Sequence, residues 1–331
     1  AYAILSGLVG SEMCIRDSTT QLLNQAGALV SIYKDGSIYL NHGGTEMGQG
    51  LFIKVAQVVA NEFGVDISRV KVSATSTAKV PNTSPTAASS GSDLNGMAAR
   101  EACLRIKRNL TQFAKEYYDS SESNVKFEDS LLVVDKKQIP FDEFISLAYL
   151  NRVELFSNGF YKTPKIHFDP VKQKGRPFFY YSYGACVSEV IVDCLTGEYK
   201  LLGVDILHDV GNAINPALER GQIEGGFVQG QGWLTMEEVV WDKLGKIKTF
   251  SPSTYKIPAI NDIPKKFNVE IFKKGLNVEK VVNKAKTTGE PPLMLAMSVF
   301  FAIKDAIAST ANYKIAPDIN APATPEKILL S

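Results

Sequence analysis

The sequence predicts an α+β fold, and three observations predict it. Hairpin patterns interleave with helical patterns, without the strict strand–helix alternation of a parallel sheet. Apolar residues recur with period two in segments closed by turn residues, and at helical spacing in segments bounded by glycine. Two late helices open on readable start signals, Asn215-Pro216 and Gly289-Glu290-Pro291-Pro292.

The first 18 residues, AYAILSGLVGSEMCIRDS, have no clean period and no basic n-region, and their apolar run is too short to span a bilayer. They join a strongly patterned chain abruptly and resemble a recurrent artefact of sequence assembly. Fold reasoning therefore sets aside residues 1–18 and starts at Thr19, with 19–331 as one region entered in mid-domain. Any subdomain boundary in it falls near 115–180.

From Ala28 to Leu40 the chain reads as a hairpin: Val30 and Ile32 alternate with polar residues, Asp35-Gly36 makes a two-residue turn, and Ile38 and Leu40 resume. A glycine-rich run, His42 to Gly50, leads into a helix with Phe52, Val55, Ala56, Val59, Ala60 and Phe63 on one face, ended by Gly64. A strand near Val70 and Val72 precedes an ordered loop, Pro81 to Asp93. The next helix buries Leu94, Ala98, Ala102, Ile106, Leu110 and Phe113. A second hairpin spans Val125 to Pro140, turning near Lys136-Lys137, and a short helix runs to Leu150. Two long strands occupy Phe178 to Asp209 and turn at Thr196-Gly197. The helix from Asn215-Pro216 carries Gly221, Gly225, Gly226, Gly230 and Gly232. Glycine is costly inside a helix, so something passes close to its backbone. Leu293 to Ile303 is apolar on every face apart from Ser298, which predicts a helix buried all round. No internal repeat is evident.

The 331 residues suffice for two ordinary domains or one large one. A formal charge of +1 argues against a nucleic-acid partner or an anionic membrane surface. Cys14, Cys103, Cys186 and Cys194 form no CxxC pair and only three histidines accompany them, which argues against a zinc or iron–sulfur site built from this chain. They read as small buried apolar residues in a reducing compartment, the cytoplasm.

Four segments break local rules. Gly43 to Gly50 lies between strand and helix, where glycines let backbone N–H groups approach an anion; a tight turn explains it equally. Ser84 to Ser92 is a run of small and hydroxylic residues, suited to a large ligand or phosphate, or an elaborate N-cap. Gln222, flanked by glycine, can bond a polar heterocycle or serve helix packing. Glu290, fixed by two prolines before an apolar helix, is either a buried reactive carboxylate or a helix-start carboxylate favoured by the dipole.

Together HGGTEMGQG, VPNTSPTAAS, GQIEGGFVQGQG, PSTYKIP and GEPPLMLAMSVFFAIKDAI resemble, in order and spacing, the molybdenum-binding region of the xanthine dehydrogenases. NGMAA and GFYKTPKIH are closer to the bacterial molybdenum subunit, and the resemblance runs from Thr19 to Ser331. It implies the mixed hairpins and helices of the aldehyde oxidase/xanthine dehydrogenase molybdopterin-binding domain. It also implies a molybdenum–molybdopterin cofactor. Met47, Gly48 and Gln49 would hold the pterin; Ala88, Ser89, Ser90 and Gly91 would line the metal and phosphate, with Ala88 against the molybdenum; Gln222 would contact the cofactor. Glu290 would be the general base that activates a molybdenum-bound hydroxyl for attack on an electron-poor ring carbon. The implied reaction is oxidation of hypoxanthine and xanthine to urate, in purine catabolism. Thr19 matches a substrate-side residue, although Ser18 replaces the aromatic that normally precedes it.

The resemblance further implies FAD and 2Fe-2S clusters on other parts or partner subunits, NAD as electron acceptor and a dimer of the full assembly. The family's upstream half, with its purine-orienting residues, has no counterpart here, so the chain alone is expected to be inactive. Aldehyde oxidase or another aza-heterocycle hydroxylase, and an inactive cofactor-binding fragment, are the other readings. If the first is right, the loops at 47–49 and 88–91 and Glu290 should face one pterin-sized cavity.

Overall fold

The computed structural model describes residues 2–10, 21–80, 82–87, 89–121 and 124–331, with 2–10 and Gln21 as backbone only. The chain divides into an amino-terminal unit, Cys14–Phe179 with Asn277–Thr287, and a carboxyl-terminal unit, Ala1–Met13 with Tyr180–Leu276 and Thr288–Ser331. The first strand, β1 (Tyr2–Gly10), belongs to the carboxyl-terminal unit, where it pairs antiparallel with the strand at Tyr181–Val192. Tyr2–Gly10, within the segment set aside in the sequence-based fold, thus form a sheet edge.

In the amino-terminal unit β2 (Gln25–Ile32) and β3 (Ile38–His42) form the expected hairpin. Its connection is longer than the two-residue turn expected. The Tyr33 N–H donates to the Ser37 carbonyl at 2.8 Å, leaving Lys34 to Gly36 as a three-residue loop with Gly36 left-handed at φ 78°. Helix α1 (Leu51–Phe63) crosses over to β4 (Val70–Val72), parallel to β3. Then come α2 (Gly91–Tyr118), β5 (Val125–Glu128), β6 (Leu131–Val134), β7 (Lys137–Pro140), α3 (Phe141–Leu150) and β8 (Phe156–Lys162). A small hairpin, β9 (His167–Asp169) and β10 (Lys174–Arg176), follows.

The sheet order is β4-β3-β2-β8. Val30, Ile32, Ile38 and Leu40 turn one face inward against Val55, Val59 and Phe63 of α1 and Ala98, Ala102, Ile106 and Leu110 of α2. The α2 residues recur every four positions, so a single stripe is buried. Each fully buried large side chain contributes roughly 1.5–3 kcal/mol. The expected single hairpin at 125–140 is a three-stranded meander, β5-β6-β7. Its additional turn, Asp129-Ser130, has both residues at positive φ, as a type I′ hairpin turn requires.

In the carboxyl-terminal unit β11 (Tyr181–Val192) and β12 (Tyr199–His208) pair antiparallel. Helix α4 (Pro216–Thr235) is capped by Asn215, whose Oδ1 accepts from the Leu218 N–H at 3.2 Å. A long excursion leads to β13 (Lys266–Ile271), parallel to β12. A 3-10 turn over Pro291–Ala296 runs into α5 (Met297–Thr310), and α6 (Pro325–Leu330) closes the chain. The sheet order is β1-β11-β12-β13. The segment from Leu293 to Ile303 is not buried all round. Leu295, Ala296, Val299, Ala302 and Ile303 face the core, while Phe301 is 42% exposed. One flank of α5 is open to solvent at Phe301, which apolar composition alone cannot reveal.

The two units share sheet order and strand directions. Each has an antiparallel hairpin, a crossover helix, a strand parallel to the second hairpin strand, another helix, and an antiparallel strand beside the first hairpin strand, which follows the second helix in the amino-terminal unit (β8) and precedes the hairpin in the carboxyl-terminal unit (β1). This repeat lies in the topology, where the sequence shows none.

Candidate functional site

Because β3 and β4 run parallel, their carboxyl ends share one edge of the sheet. The loops into α1 and α2 both leave from that edge, the usual ligand end of an open sheet. They are laced together. The Thr45 N–H donates to Thr86 Oγ1 at 2.8 Å and the Thr75 hydroxyl donates to the Gly44 carbonyl at 2.9 Å. Gly43 is required because the Thr83 side chain occupies the space a Cβ would need, the nearest atoms standing at 2.1 Å. Leu51, which follows the first loop, packs near both Gly44 and Gly91, at the two ends of this lacing.

Sequence reasoning missed Glu46. Its carboxylate accepts from the N–H groups of Gly48 at 2.9 Å, Gly50 at 3.0 Å and Phe52 at 2.9 Å, closing the loop over the start of α1. Partial burial opposes its ionisation, but the backbone bonds outweigh that and hold the carboxyl below its usual range. Gln49 turns inward, its Oε1 accepting from the Met47 N–H at 2.6 Å and its Nε2 donating to the Thr45 carbonyl at 2.9 Å. The expected anion cradle at α1 is therefore filled by the chain's own carboxylate. The available signal was a glutamate within one turn of a helix start. Behind the loop, burial pushes the His42 imidazole down to about 4, against a smaller opposing pull from Glu46. Its Nδ1 accepts from the Gly44 N–H at 3.1 Å.

The second loop is different. Ser84 donates to the carbonyls of Leu23 and Gln25. Ser89 adopts a left-handed φ of 52°. Ser90 is the N-cap of α2, yet its hydroxyl donates back to the Ala87 carbonyl at 3.2 Å and makes no cap bond. The 28-residue helix begins without a cap bond from the Ser90 side chain and carries Asp93 in its first turn. Ala88 and Thr19 lie outside the described residues.

In the carboxyl-terminal unit β12 and β13 are also parallel, so the loops into α4 and α5 share an edge. The segment that carries Glu290 crosses α4. A Cβ on Gly226 would stand 3.2 Å from Pro292 Cβ and 3.4 Å from the Gly289 carbonyl, and one on Gly230 would stand 2.3 Å from the Leu293 carbonyl. Gln222 lies one turn before Gly226 on the same side of the helix. Gln222 and Glu290 are both half-buried, and Glu290 begins the turn as its N-cap. The helix glycines fall into two groups. Gly226, Gly230 and Gly232 are packed against other atoms, whereas Gly221 and Gly225 face open space. Cys103 and Cys186 are buried as expected; Cys194 is exposed, because it sits at the β11–β12 turn.

Residues 4–264 match the family described as molybdopterin cofactor-binding domain. The chain belongs to that family. It is 46% identical over 316 residues to the xanthine dehydrogenase/oxidase of Felis catus, covering 94% of this chain and 22% of that protein. It is 45% identical over 324 residues to the xanthine dehydrogenase of Oryza sativa subsp. japonica, covering 95% of this chain and again 22% of the relative. The chain thus spans about a fifth of the length of these relatives. Its fold resembles quinoline 2-oxidoreductase from Pseudomonas putida 86, with a TM-score of 0.85 at 23% identity, over 100% of this chain and 41% of that one.

The residues present fit the family's cofactor. In the amino-terminal unit Gly48, at φ 98°, has nothing within 4 Å of where a Cβ would stand, so a ligand can lie against its bare backbone; in the carboxyl-terminal unit Gly221 and Gly225 are likewise open. Among the described residues no group of three or more His, Cys, Asp or Glu side chains is placed to hold a metal ion.

Proposed function

We propose that this chain is the cofactor-holding part of a molybdenum hydroxylase that oxidises hypoxanthine and xanthine to urate. The observation that carries this reading is the likeness to proteins named xanthine dehydrogenase, at 42–46% identity over at least 94% of the chain, in relatives from mammals, birds, plants and Dictyostelium discoideum. Met47, Gly48, Gln49 and Gln222 would hold the pterin, and Ala88, Ser89, Ser90 and Gly91 would hold its phosphate and flank the metal. The bound cofactor would supply an activated oxygen nucleophile and accept the electron pair. Glu290 would take the proton from that nucleophile at its carboxylate; Pro291 and Pro292 restrict the backbone that aims it. Thr19 would stand on the substrate side. Reading the segment as a bacterial-type subunit, with partners carrying FAD and 2Fe-2S clusters, NAD as final acceptor, a dimeric assembly and a cytoplasmic location, belongs to the same proposal.

The test is Glu290→Gln in the assembled enzyme, measured with xanthine, an aliphatic aldehyde and quinoline. The amide keeps the size and cannot accept the proton, so turnover should fall by about 10² to 10⁴ with molybdenum content unchanged. Near-normal turnover at full loading would overturn the role of Glu290. A wild-type enzyme that prefers the aldehyde or quinoline over xanthine would overturn the substrate.

A further inference from the structure

Residues 277–287 form a strap. The chain on both sides of it belongs to the carboxyl-terminal unit, but the strap itself packs in the amino-terminal unit. It is closed on itself by Asn277, which is 1% exposed: its Nδ2 donates to the Ala285 carbonyl at 2.9 Å and its Oδ1 accepts from the Glu279 N–H at 3.0 Å. Val282 is buried in a notch over Gly96 of α2, where a Cβ would meet its Cγ2 at 3.0 Å. Glu279 uses both carboxylate oxygens, one on Lys165 Nζ at 2.7 Å and one on Arg176 Nη2 at 2.6 Å. Arg176 also donates to the Phe179 carbonyl at 2.9 Å, which ties the clamp to the backbone. At the far end the Thr287 hydroxyl donates to the Ser89 carbonyl at 2.8 Å.

That last bond falls on a residue that needs holding. Ser89 is left-handed at φ 52°, a conformation unfavourable for a residue with a Cβ that persists where surrounding bonds fix it. We propose that Thr287 and Glu279 are positioning residues for the Ser89–Gly91 loop. Thr287 fixes the Ser89 carbonyl, and the Glu279 clamp fixes the strap that carries Thr287. The effect on cofactor rests on the reading above, in which this loop holds the cofactor; the effect on loop order does not.

The experiment compares Thr287→Val, Thr287→Ser and Glu279→Gln in the assembled enzyme by hydrogen exchange, molybdenum analysis and melting temperature. Thr287→Val keeps the shape and loses the donor. It should speed amide exchange over 84–91 and lower molybdenum content by about tenfold, the usual scale for an outer-shell partner. Thr287→Ser restores the donor and should restore both readouts, which a purely bulk packing role would not produce. Glu279→Gln should speed exchange in the strap and, to a smaller extent, over 84–91. Unchanged exchange over 84–91 in Thr287→Val overturns the positioning role whatever the metal content. Faster exchange with unchanged molybdenum supports the positioning role and overturns the cofactor reading of this loop.

Discussion

Glu46 shows how one side chain can settle a question that a motif leaves open. The glycines of the 43–50 run suggested a nest for an external anion, but three of the N–H groups there already bind this carboxylate. The loop is therefore held by its own chain, with Met47 exposed and the backbone of Gly48 bare. Glu46→Ala removes an anion at a helix start and three acceptor contacts. It should cost about 1–2 kcal/mol, the upper part of the range for a lost N-cap, read as a lower urea midpoint. A midpoint shift within error would mean that water replaces the carboxylate at no cost.

At the scale of elements, the glycines of α4 divide by what they touch. Gly230 lets the Pro291–Ala296 turn approach the helix backbone, and Gly159 does the same for β8 beneath α2, where a Cβ would stand 1.9 Å from the Ala98 carbonyl. Gly225 has no such neighbour. Gly230→Ala should cost about 1–3 kcal/mol by overpacking. Gly225→Ala should stabilise the cofactor-free protein by up to about 1 kcal/mol through helix propensity. Denaturant midpoints of the two variants should move in opposite directions. Destabilisation by Gly225→Ala without cofactor would mean that this face is covered after all. On the same unit, the excursion between α4 and β13 exposes Trp241, Leu244, Phe250 and Ile260. Purified by itself, the chain should self-associate through this apolar surface. Light scattering that shows a monomer at high concentration, for the wild type as for Leu244→Asp, would show the patch to be ordinary solvated surface.

For the whole molecule the testable quantity is pH dependence. The folded-state pKa of His42 is depressed from 6.5 to about 4 by burial, so the unfolded chain takes up that proton first. Its contribution is complete above pH 6.5 and declines as pH falls toward 4, by on the order of 3 kcal/mol at most. Glu46 and Glu279 are also held below their usual range, Glu46 by backbone bonds that outweigh its partial burial, Glu279 by Lys165 and then Arg176. Their contributions are present above the ordinary glutamate pKa and are lost as pH falls through the folded values. Thermal stability should therefore fall in two stages on acidification. His42→Gln should remove the first stage and leave the second. An unchanged first stage in that variant would place the titrating group elsewhere.

The sequence by itself determined the α+β class, most of the hairpins and helices, and the family. Those depend on local signals: period-two and helical spacing in 28–63 and 94–113, the Asn215-Pro216 start, and long motifs whose residue order survives without coordinates. It also singled out the two glycine- and serine-rich loops before α1 and α2, which the structure joins through Thr45 and Thr86. The tertiary structure alone decided the rest, because the interactions concerned join residues distant in sequence. Whether the N–H groups at α1 are free depends on where Glu46 points. Whether Gly225 or Gly230 tolerates a side chain depends on a segment some sixty residues downstream. Edge strand β1, the parallel partner β13 and the exposed flank of α5 depend on pairing and neighbours that no local pattern encodes. The repeated topology of the two units is visible only in three dimensions, because strand order and direction can recur where side chains have diverged.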